Sequence, residues 1–488
     1  MTPPEYDTRK TFLSVRPRCS TLAGVVWDEG DVVRILEPSE QRFVRHGTYT
    51  GRSVSVAGRI DAAALRAAFV LLRYEYPILA CRIGVDRHGY GHLLRPGAFG
   101  VSGVWIGYGD PATVQPPQAR LDPAEQLAYL DVVLSRRPRC RVTLYVHHGI
   151  ADGGHCVALL TRLWDCYTAC AESAATPMPP HDYPEPLEWF AARHGIVRGL
   201  RSGFDSVARP LPSSAHPSSD MPVESLGTTG QADSDPAPAS APDPGIGSDL
   251  PGAERPPANS LARPQRIRLD RASTAQIIEV SRTHRLTVNA LLTAALLRAY
   301  AIAVAGAGSA PVSLGCLYPV DLRTRLDPPV AAAAGTNMGG MASFATDIDG
   351  SVCVLDLARH ISDRLRHDLD EGTVQQSVLH FPDFYGAART RSLAGHIAIT
   401  NTGVVPALRT PAGLRITDYE IVYLSAHPRP SLGPSAAVTF LAYTFAARLT
   451  VALLGCPGQQ ERLLDTVHAE LTAPVRQRGV LVSGFNHG

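Results

Sequence analysis

The stretch Tyr145-Val-His-His-Gly-Ile-Ala-Asp-Gly-Gly-His155 carries the most information about how this chain folds. The residues that lead into it, Arg141-Val-Thr-Leu-Tyr-Val-His147, alternate in polarity and predict a β-strand that ends at the two histidines. The apolar spacing that follows predicts a helix over residues 157–170. A strand, a tight glycine-containing turn and a helix therefore hold an imidazole near the end of a sheet, and Asp152 lies one helical turn after His148.

Three interpretations of this turn stay open from the residues alone. The first is structural, with a buried histidine and an aspartate that caps the helix at Gly153. The second is a metal site, for which the candidate ligands are His147, His148, Asp152 and His155. Against it, consecutive strand residues point to opposite faces, and no HExxH spacing occurs. The third is general-base catalysis by one histidine, with the aspartate orienting it.

Strand and helix patterns alternate on both sides of this turn, which favours a layered α/β fold over a bundle or a barrel. Helices are predicted upstream over residues 61–73 and 123–136. In the second half helices are predicted over residues 273–284, 288–303, 354–369 and 457–471. Strands are predicted there over residues 266–269, 312–320, 395–401, 414–424 and 436–454. The last of these is long enough for two strands.

A break in composition separates the two halves. Residues 210–262 contain 11 prolines in 53 positions, and Ser, Asp, Gly and Ala supply most of the others. Such a segment cannot bury enough apolar surface to offset its chain entropy. The predicted organisation is an amino-terminal lobe over residues 1–205, a disordered Pro/Ser/Asp-rich linker over residues 206–262 and a carboxy-terminal lobe over residues 263–488.

Composition excludes several classes of function. Hydrophobic residues make up 45% of the chain, enough for a large core, and the net charge of +1 argues against an electrostatic nucleic-acid binder. The nine cysteines are scattered without a CxxC pair, which argues against a disulfide framework and a zinc ribbon. The first residues contain no apolar run of signal-peptide length, so a cytoplasmic protein with reduced thiols is expected. The most apolar stretches, residues 288–306 and 436–455, each contain an arginine and are expected to be buried elements.

The motif His147-His-Gly-Ile-Ala-Asp-Gly153 resembles the His-His-xxx-Asp-Gly signature of the chloramphenicol-acetyltransferase-like superfamily, which includes the condensation domains of nonribosomal peptide synthetases. Other segments resemble its polyketide-associated acyltransferase branch, of the phthiocerol/phthiodiolone dimycocerosyl transferase type. These segments include Leu36-Glu-Pro-Ser-Glu-Gln-Arg-Phe43, Pro319-Val-Asp-Leu-Arg-Thr-Arg-Leu-Asp-Pro-Pro-Val330, Gly335-Thr-Asn-Met-Gly339 and Thr400-Asn-Thr-Gly403, together with residues 56–58, 60–61, 76–83 and 408–414. The resemblance covers nearly all the chain outside the linker, which departs from the compact family pattern.

The resemblance implies two chloramphenicol-acetyltransferase-like lobes, each a mixed sheet flanked by helices, with a tunnel between them. It implies that His148, the second histidine of the motif, is the general base. Asp152 is expected to turn away from the substrate and to pair with an arginine that fixes the loop. Arg323 is the first candidate for that partner and Arg325 the second.

The resemblance also suggests supporting residues. His147 is expected to have a structural role, such as orienting the loop, and Gly153 is expected to permit the turn. Polar side chains at Asn337, Thr400 and Asn401 could stabilise an oxyanion or cap turns, and turn capping is the favoured interpretation.

The implied function is transfer of an acyl group from a thioester, on a carrier protein or coenzyme A, to a hydroxyl of a lipid or polyketide-type acceptor. An ester forms, and neither a cofactor nor a metal is expected. One alternative is an amide-forming condensation enzyme of the nonribosomal peptide type. Another is an inactive homologue that binds a carrier protein, although both motif residues of an active enzyme are present. The expected protein is a monomer that binds no nucleic acid and that could contact a membrane peripherally.

Overall fold

A computed structural model describes most of the chain. It covers residues 19–20, 26–97, 102–112, 117, 121–210, 260–262, 264–305, 310–349, 351–385, 390–392, 395–425, 436, 438–455 and 459–483. Most of the predicted linker, residues 211–259, lies outside the described residues, and its disorder stays a prediction.

The described residues form nineteen strands and ten α-helices. The strands are β1 Cys19–Ser20, β2 Val26–Trp27, β3 Val32–Ile35, β4 Thr48–Ala57, β5 Arg82–Val85, β6 Gly91–Leu94, β7 Val104–Tyr108, β8 Ala128–Leu134, β9 Arg139–His147, β10 Ala208–Pro210, β11 Ser260–Ala262, β12 Gln265–Arg268, β13 Val312–Asp321, β14 Gly339–Ile348, β15 Thr390–Ser392, β16 Gly395–Val404, β17 Arg415–Ser425, β18 Val438–Phe445 and β19 Arg448–Gly455. The helices are α1 Pro38–Val44, α2 Ala62–Glu75, α3 Gly153–Ala171, α4 Leu187–Arg193, α5 Arg271–Thr283, α6 Val288–Ala305, α7 Val354–Asp370, α8 Thr373–Gln376, α9 Phe381–Tyr385 and α10 Gln460–Ser483.

Two six-stranded mixed sheets organise the molecule. The first has the strand order β11-β17-β4-β9-β8-β7, and the second has the order β12-β19-β18-β16-β13-β14. Each contains both parallel and antiparallel pairs. A small sheet, β3-β6-β5, lies beside the first. Helices accompany both large sheets, which confirms the predicted α/β class with two mixed sheets.

The first sheet presents the motif because its central strand, β9, ends there. Strand β9 pairs antiparallel with β4 on one side and with β8 on the other, and Tyr49 lies opposite His147. Helix α2 begins where the Asp61 carboxylate accepts hydrogen bonds from the N–H groups of the first turn. Its buried face, which includes Phe69, packs with α3 in the core of this lobe. Each fully buried apolar side chain there contributes about 1.5–3 kcal/mol.

The second sheet is built around helix α6. The most apolar stretch of the second half forms this helix, which packs against α7 and α10 in the larger core of the protein. Burial of its apolar residues agrees with the expectation of a buried helix, and β18 and β19 form the two strands expected over residues 436–454. Within the described residues, no single helix has the length and apolarity to span a membrane; the pair α5 and α6, bent by 108°, meets that test only when taken together.

Strands from the second half of the chain complete the first sheet. The predicted domain boundaries therefore do not coincide with the division between the two sheets. Strand β17, from the carboxy-terminal half, lies beside β4 in the first sheet, and β11 extends that sheet further. Phe204 of the amino-terminal half is buried in the core of the second lobe. The ends of the predicted linker also form strands, because β10 pairs with β15 and β11 pairs with β17. A strand can complete a sheet far from its own segment, which composition does not reveal.

One predicted helix is wrong. Residues 123–136 form a short turn followed by strand β8, which pairs with β9 and β7. A proline and scattered apolar residues suggested a helix start, but Val132 and Val133 belong to a strand that is largely buried. Pairing on both edges outweighs the weak helical pattern of this segment.

Candidate active site

The histidine turn joins β9 to α3. The N–H of Ile150 donates to the carbonyl of His147 (3.1 Å), and helix α3 begins at Gly153. Asp152 is the N-cap of this helix, and its Oδ1 accepts from the N–H of His155 (2.9 Å). The spacing between the histidines and the aspartate is thus set by the backbone, because the turn ends at the residue that caps the helix.

His148 is half-buried between two aromatic rings. Its ring stacks on Phe43 with centroids 4.0 Å apart and planes 9° apart, and Tyr423 of β17 lies 6.2 Å away on a similar plane. Its Nδ1 lies 3.1 Å from the carbonyl oxygen of Ala151. A carbonyl oxygen only accepts, so the proton of the neutral ring is on Nδ1 and the lone pair is on Nε2. The ring is therefore oriented with one basic nitrogen.

Burial and nearby positive charge keep this imidazole neutral. Burial lowers the pKa of His148 to about 4, with further lowering by the charges of Arg42 and Arg52 and partial compensation by Asp152. Burial also lowers the pKa of His147 to about 3. Neutral imidazole is the form that can accept a proton, and at neutral pH it predominates.

His147 faces the interior and supports the turn. It is fully buried, its Nδ1 accepts from the N–H of Gly149 (3.1 Å), and its ring meets the edge of Tyr49. Its Nε2 has no hydrogen-bond partner among the described residues. This placement favours the structural interpretation of His147, opposite in direction to its neighbour.

The structure contains the ion pair predicted for Asp152. The Arg323 guanidinium lies 2.6 Å from Asp152 Oδ2, and the same oxygen accepts from the N–H of Met338 (2.9 Å). Arg323 also contacts Asp321 (3.2 Å) and is nearly buried, whereas Arg325 is exposed and has no contact with Asp152. The Arg323 guanidinium and the donated N–H groups hold the pKa of Asp152 below its usual range, against the effect of burial. The carboxylate therefore pins the turn to a loop of the second half.

Asn337 binds the backbone of the same turn. Its Nδ2 donates to the carbonyl oxygens of His148 (2.7 Å) and Gly149 (2.9 Å). This is the turn-supporting role that was favoured from the sequence. Asn401 likewise accepts from the N–H of Gly403 (2.9 Å) and donates to Asn289 (3.2 Å).

Strand β16 approaches the start of α3 at Gly153. A Cβ atom built on this glycine would lie 2.7 Å from Cγ2 of Thr402, closer than real Cβ contacts. Gly153 is thus needed for this close approach, whereas its backbone has no positive φ that would require glycine for the turn. Thr400 lies on the same strand, opposite Leu441 of β18, and has no hydrogen bond to the histidine turn among the described contacts.

Sequence reasoning missed three neighbours of His148, namely Phe43, Arg42 and Arg52. Phe43 and Arg42 lie in the family-like segment 36–43, whose local pattern assigns neither of them a role. Arg52 is 1% exposed on β4 and donates to Thr50 Oγ1 (2.6 Å) and the Gly153 carbonyl (3.3 Å). A lone arginine in the middle of a strand pattern was the available signal.

No metal site accompanies these histidines within the part of the chain that the structure describes. No group of three His, Cys, Asp or Glu side chains lies there in a position to hold a metal ion. The proximity of Asp152 to an arginine also makes it a poor ligand.

Comparisons with known proteins identify the family and the fold. The family "Phthiocerol/phthiodiolone dimycocerosyl transferase C-terminus" matches residues 258–454. A phthiocerol/phthiodiolone dimycocerosyl transferase of Mycobacterium sp. (strain JLS) is 32% identical over 403 residues, 81% of this chain and 87% of the relative. The structure of polyketide synthase associated protein 5 from Mycobacterium tuberculosis superposes with a TM-score of 0.71 at 25% identity, covering 92% of this chain and 99% of that one.

A more distant structural similarity connects this fold with condensation domains. The first condensation domain of the calcium-dependent antibiotic synthetase has a TM-score of 0.56 at 15% identity, over 91% of this chain and 97% of that domain. The two mixed sheets and the histidine turn between them are thus set in a fold shared with condensation domains. The chain belongs to the phthiocerol/phthiodiolone dimycocerosyl transferase family of acyltransferases.

Proposed function

We propose that this acyltransferase moves an acyl group from a thioester to the hydroxyl of a lipid, with His148 as the general base. One observation carries the proposal. The hydrogen bond from Nδ1 to the Ala151 carbonyl, together with the stacked Phe43 ring, leaves Nε2 as the basic atom of a fixed, neutral imidazole.

The proposed reaction proceeds by direct attack. Nε2 of His148 takes the proton from the acceptor hydroxyl while the oxygen forms a bond to the thioester carbonyl carbon. The carbonyl electron pair moves onto its oxygen, then returns as the carbon–sulfur bond breaks. The imidazolium gives its proton to the departing thiolate, so an ester and a thiol result and the base is restored. Positioning both substrates supplies a large part of the rate.

We place the two substrates between the lobes, in the tunnel that the resemblance implies. Residues from both halves surround the base, which supports this placement. Phe43 comes from the first half and Tyr423 from β17, while Asn337 binds the turn from the loop before β14. A site built from both lobes would exclude water when both substrates are bound.

The names of the relatives support a proposal for the substrate class. Their name refers to a dimycocerosyl group and to phthiocerol or phthiodiolone. By analogy, we propose a long-chain acyl group and a hydroxylated, lipid-like acceptor for this chain. The donor would be an acyl thioester of a carrier protein or of coenzyme A.

The test compares donors and acceptors directly. Purified protein would be incubated with a long-chain acyl-CoA or acyl carrier protein and with either a long-chain alcohol or the matching amine, and products would be identified by mass spectrometry. Ester formation is expected, and H148Q should lower kcat/KM by about 10²–10⁴-fold. H88Q, an exposed histidine, is the matched control and should retain the wild-type rate.

Other outcomes would select other functions. Amide as the main product would favour the condensation-type alternative. Binding of a carrier protein without any product would favour the inactive homologue. A rate for H148Q above about one tenth of wild type would exclude the role of this base.

A further inference from the structure

The proposed reaction places a negative charge on the carbonyl oxygen, and two asparagines that the sequence suggested for its stabilisation already have other hydrogen-bond partners. Both hydrogen bonds of Asn337 Nδ2 go to the carbonyls of His148 and Gly149. Asn401 is bonded to Asn289 and to its own turn. A positively charged group close to the base could stabilise the oxyanion in place of these amides.

Arg42 is a positive charge held in a box of aromatic rings. Its guanidinium carbon lies 4.6 Å from the ring centre of Phe43, 4.8 Å from that of Phe381 and 5.3 Å from that of Tyr385. Its Nε donates to the carbonyl of Ser39 (3.1 Å). The first ring belongs to α1, whereas the other two belong to α9, so the box spans two halves of the chain.

This box leaves the charge of Arg42 unneutralised. Aromatic rings attract a cation through their quadrupole but carry no net charge. Among the ion pairs of the described residues, none includes Arg42, although most arginines near the core have a carboxylate partner, as Arg34 has Glu40 and Arg323 has Asp152. The side chain is half-buried, so its field is screened less than that of a surface charge.

The box adjoins the base through a shared ring. Phe43, which the Arg42 guanidinium covers, is the ring stacked on His148 at 4.0 Å. Arg52 also lies near His148, but it is fully buried beside the start of α3 and donates hydrogen bonds to Thr50 and to the Gly153 carbonyl. The titratable or charged groups that surround His148 are Arg42 from α1, Arg52 from β4, His147 and Asp152 from its own turn, and Tyr423 from β17.

We propose that Arg42 supplies the positive charge that stabilises the oxyanion of the acyl-transfer intermediate. This inference rests on the proposed function. A cation on the ring that stacks against the base opposes formation of imidazolium unless a negative charge develops nearby. Attack on the thioester creates that negative charge, so the field of Arg42 favours the transition state over the free enzyme. The aromatic box fixes the guanidinium without offering it a competing carboxylate.

The experiment separates the charge from the packing. R42M keeps an apolar side chain of similar length between the rings, R42K keeps the charge, and R45M removes an exposed arginine from the end of the same helix. Rates would be measured with acyl-CoA and a long-chain alcohol, beside a pH profile of kcat/KM and a thermal melting curve. We expect R42M to lose about tenfold or more in kcat/KM, equivalent to the loss of one strong electrostatic contact. We expect R42K to retain most of the rate and R45M all of it.

The pH profile gives a second readout. Removing a positive charge near His148 should move the acid limb of kcat/KM to higher pH in R42M and leave it unchanged in R42K and R45M. Equal losses in R42M and R42K, with lower melting temperatures and an unchanged acid limb, would show that Arg42 only clamps α1 to α9. An unchanged rate in R42M would also overturn the proposal. Absence of acyl transfer by the wild-type protein would instead refute the proposed function.

Discussion

His148 and Asp152 have separate roles in the turn. The carboxylate of Asp152 never meets the imidazole of His148 in the structure; it caps α3 and binds Arg323. The imidazole takes its orientation from a backbone carbonyl and from Phe43. The aspartate therefore orients the base through the shape of the turn, in addition to the effect of its charge on the pKa of His148.

The ion pair should be coupled in stability. D152N leaves the largely buried Arg323 with only the exposed Asp321 as its carboxylate, and R323M leaves Asp152 with only its N–H donors. Breaking a buried pair in this way lowers the free energy of unfolding by up to about 3–5 kcal/mol. The double variant should lose less than the sum of the two, because the second change removes the stranded charge. Urea unfolding of all four proteins measures this coupling.

R325M is the matched control for that cycle. Arg325 is exposed and lies two residues from Arg323, so its replacement should change stability by no more than about 0.5 kcal/mol. Strictly additive losses in D152N and R323M would contradict the coupling. Loss of activity in D152N at full stability would indicate a direct chemical role for the carboxylate.

Sequence reasoning found the residues that share a motif but missed those that arrive from elsewhere. His148 and Asp152 stand four residues apart, and Arg323 followed from the resemblance. Arg42 and Phe43 reach the base from a helix about a hundred residues earlier, and nothing in their local pattern indicates that contact. Tertiary placement alone creates such neighbours.

At the scale of elements, the contact between α3 and β16 determines how the base is presented. Helix α3 starts at Gly153, where Thr402 of β16 approaches closely. The strand β9 and the helix α3 were predicted because their periodicity is strong. Strand β8 was not, because its pairing with two neighbours outweighs its own pattern.

A pair of variants tests this contact. G153A would place a Cβ 2.7 Å from Cγ2 of Thr402, and the overlap should cost about 1–3 kcal/mol of stability and displace the histidine turn. T402S removes that Cγ2 and keeps the hydroxyl, so the double variant should recover most of the stability and rate. Thermal melting and kcat/KM report both effects. Failure of T402S to rescue G153A would place the cause elsewhere, such as the neighbouring Arg52.

At the scale of the whole molecule, three histidines with lowered pKa values make stability depend on pH. Burial lowers the pKa of His147 to about 3 and those of His148 and His155 to about 4. In the unfolded chain these groups have the ordinary value of about 6.5, so the unfolded state binds more protons as pH falls below it. Stability should therefore decrease from about pH 6.5 toward pH 4, by up to about 1.4 kcal/mol per pH unit for each histidine.

The slope of the unfolding free energy against pH shows which histidines cause this pH dependence. Urea unfolding between about pH 7 and pH 5 should show a smaller pH dependence for H155F, because this variant removes one buried imidazole outside the proposed machinery. The depressed pKa of Asp152 acts in a lower window: its contribution is present above the unfolded carboxyl pKa of about 3.9 and is lost as pH falls through the folded value. An H155F slope equal to wild type would show that folding does not lower the pKa of His155.

The exchange of β17 between halves predicts that the lobes do not fold alone. Four side chains of β17 are almost fully buried in the first lobe: Tyr419, Ile421, Val422 and Leu424. Each contributes about 1.5–3 kcal/mol. Their sum is comparable to the net stability of an ordinary domain, about 5–15 kcal/mol. Without this strand the first sheet would also expose the edge of β4, which favours aggregation.

A chain cut within residues 211–259 tests that dependence, because β10 and β11 stay intact on either side of the cut. The first fragment expressed alone should be insoluble, and co-expression with the second fragment should give a soluble, active complex. A second fragment carrying Val422→Asp is the matched control and should fail to rescue, since it buries a charge between β4 and Tyr145. A first fragment that unfolds cooperatively on its own would show instead that the first lobe is an independent domain and that its sheet folds without β17.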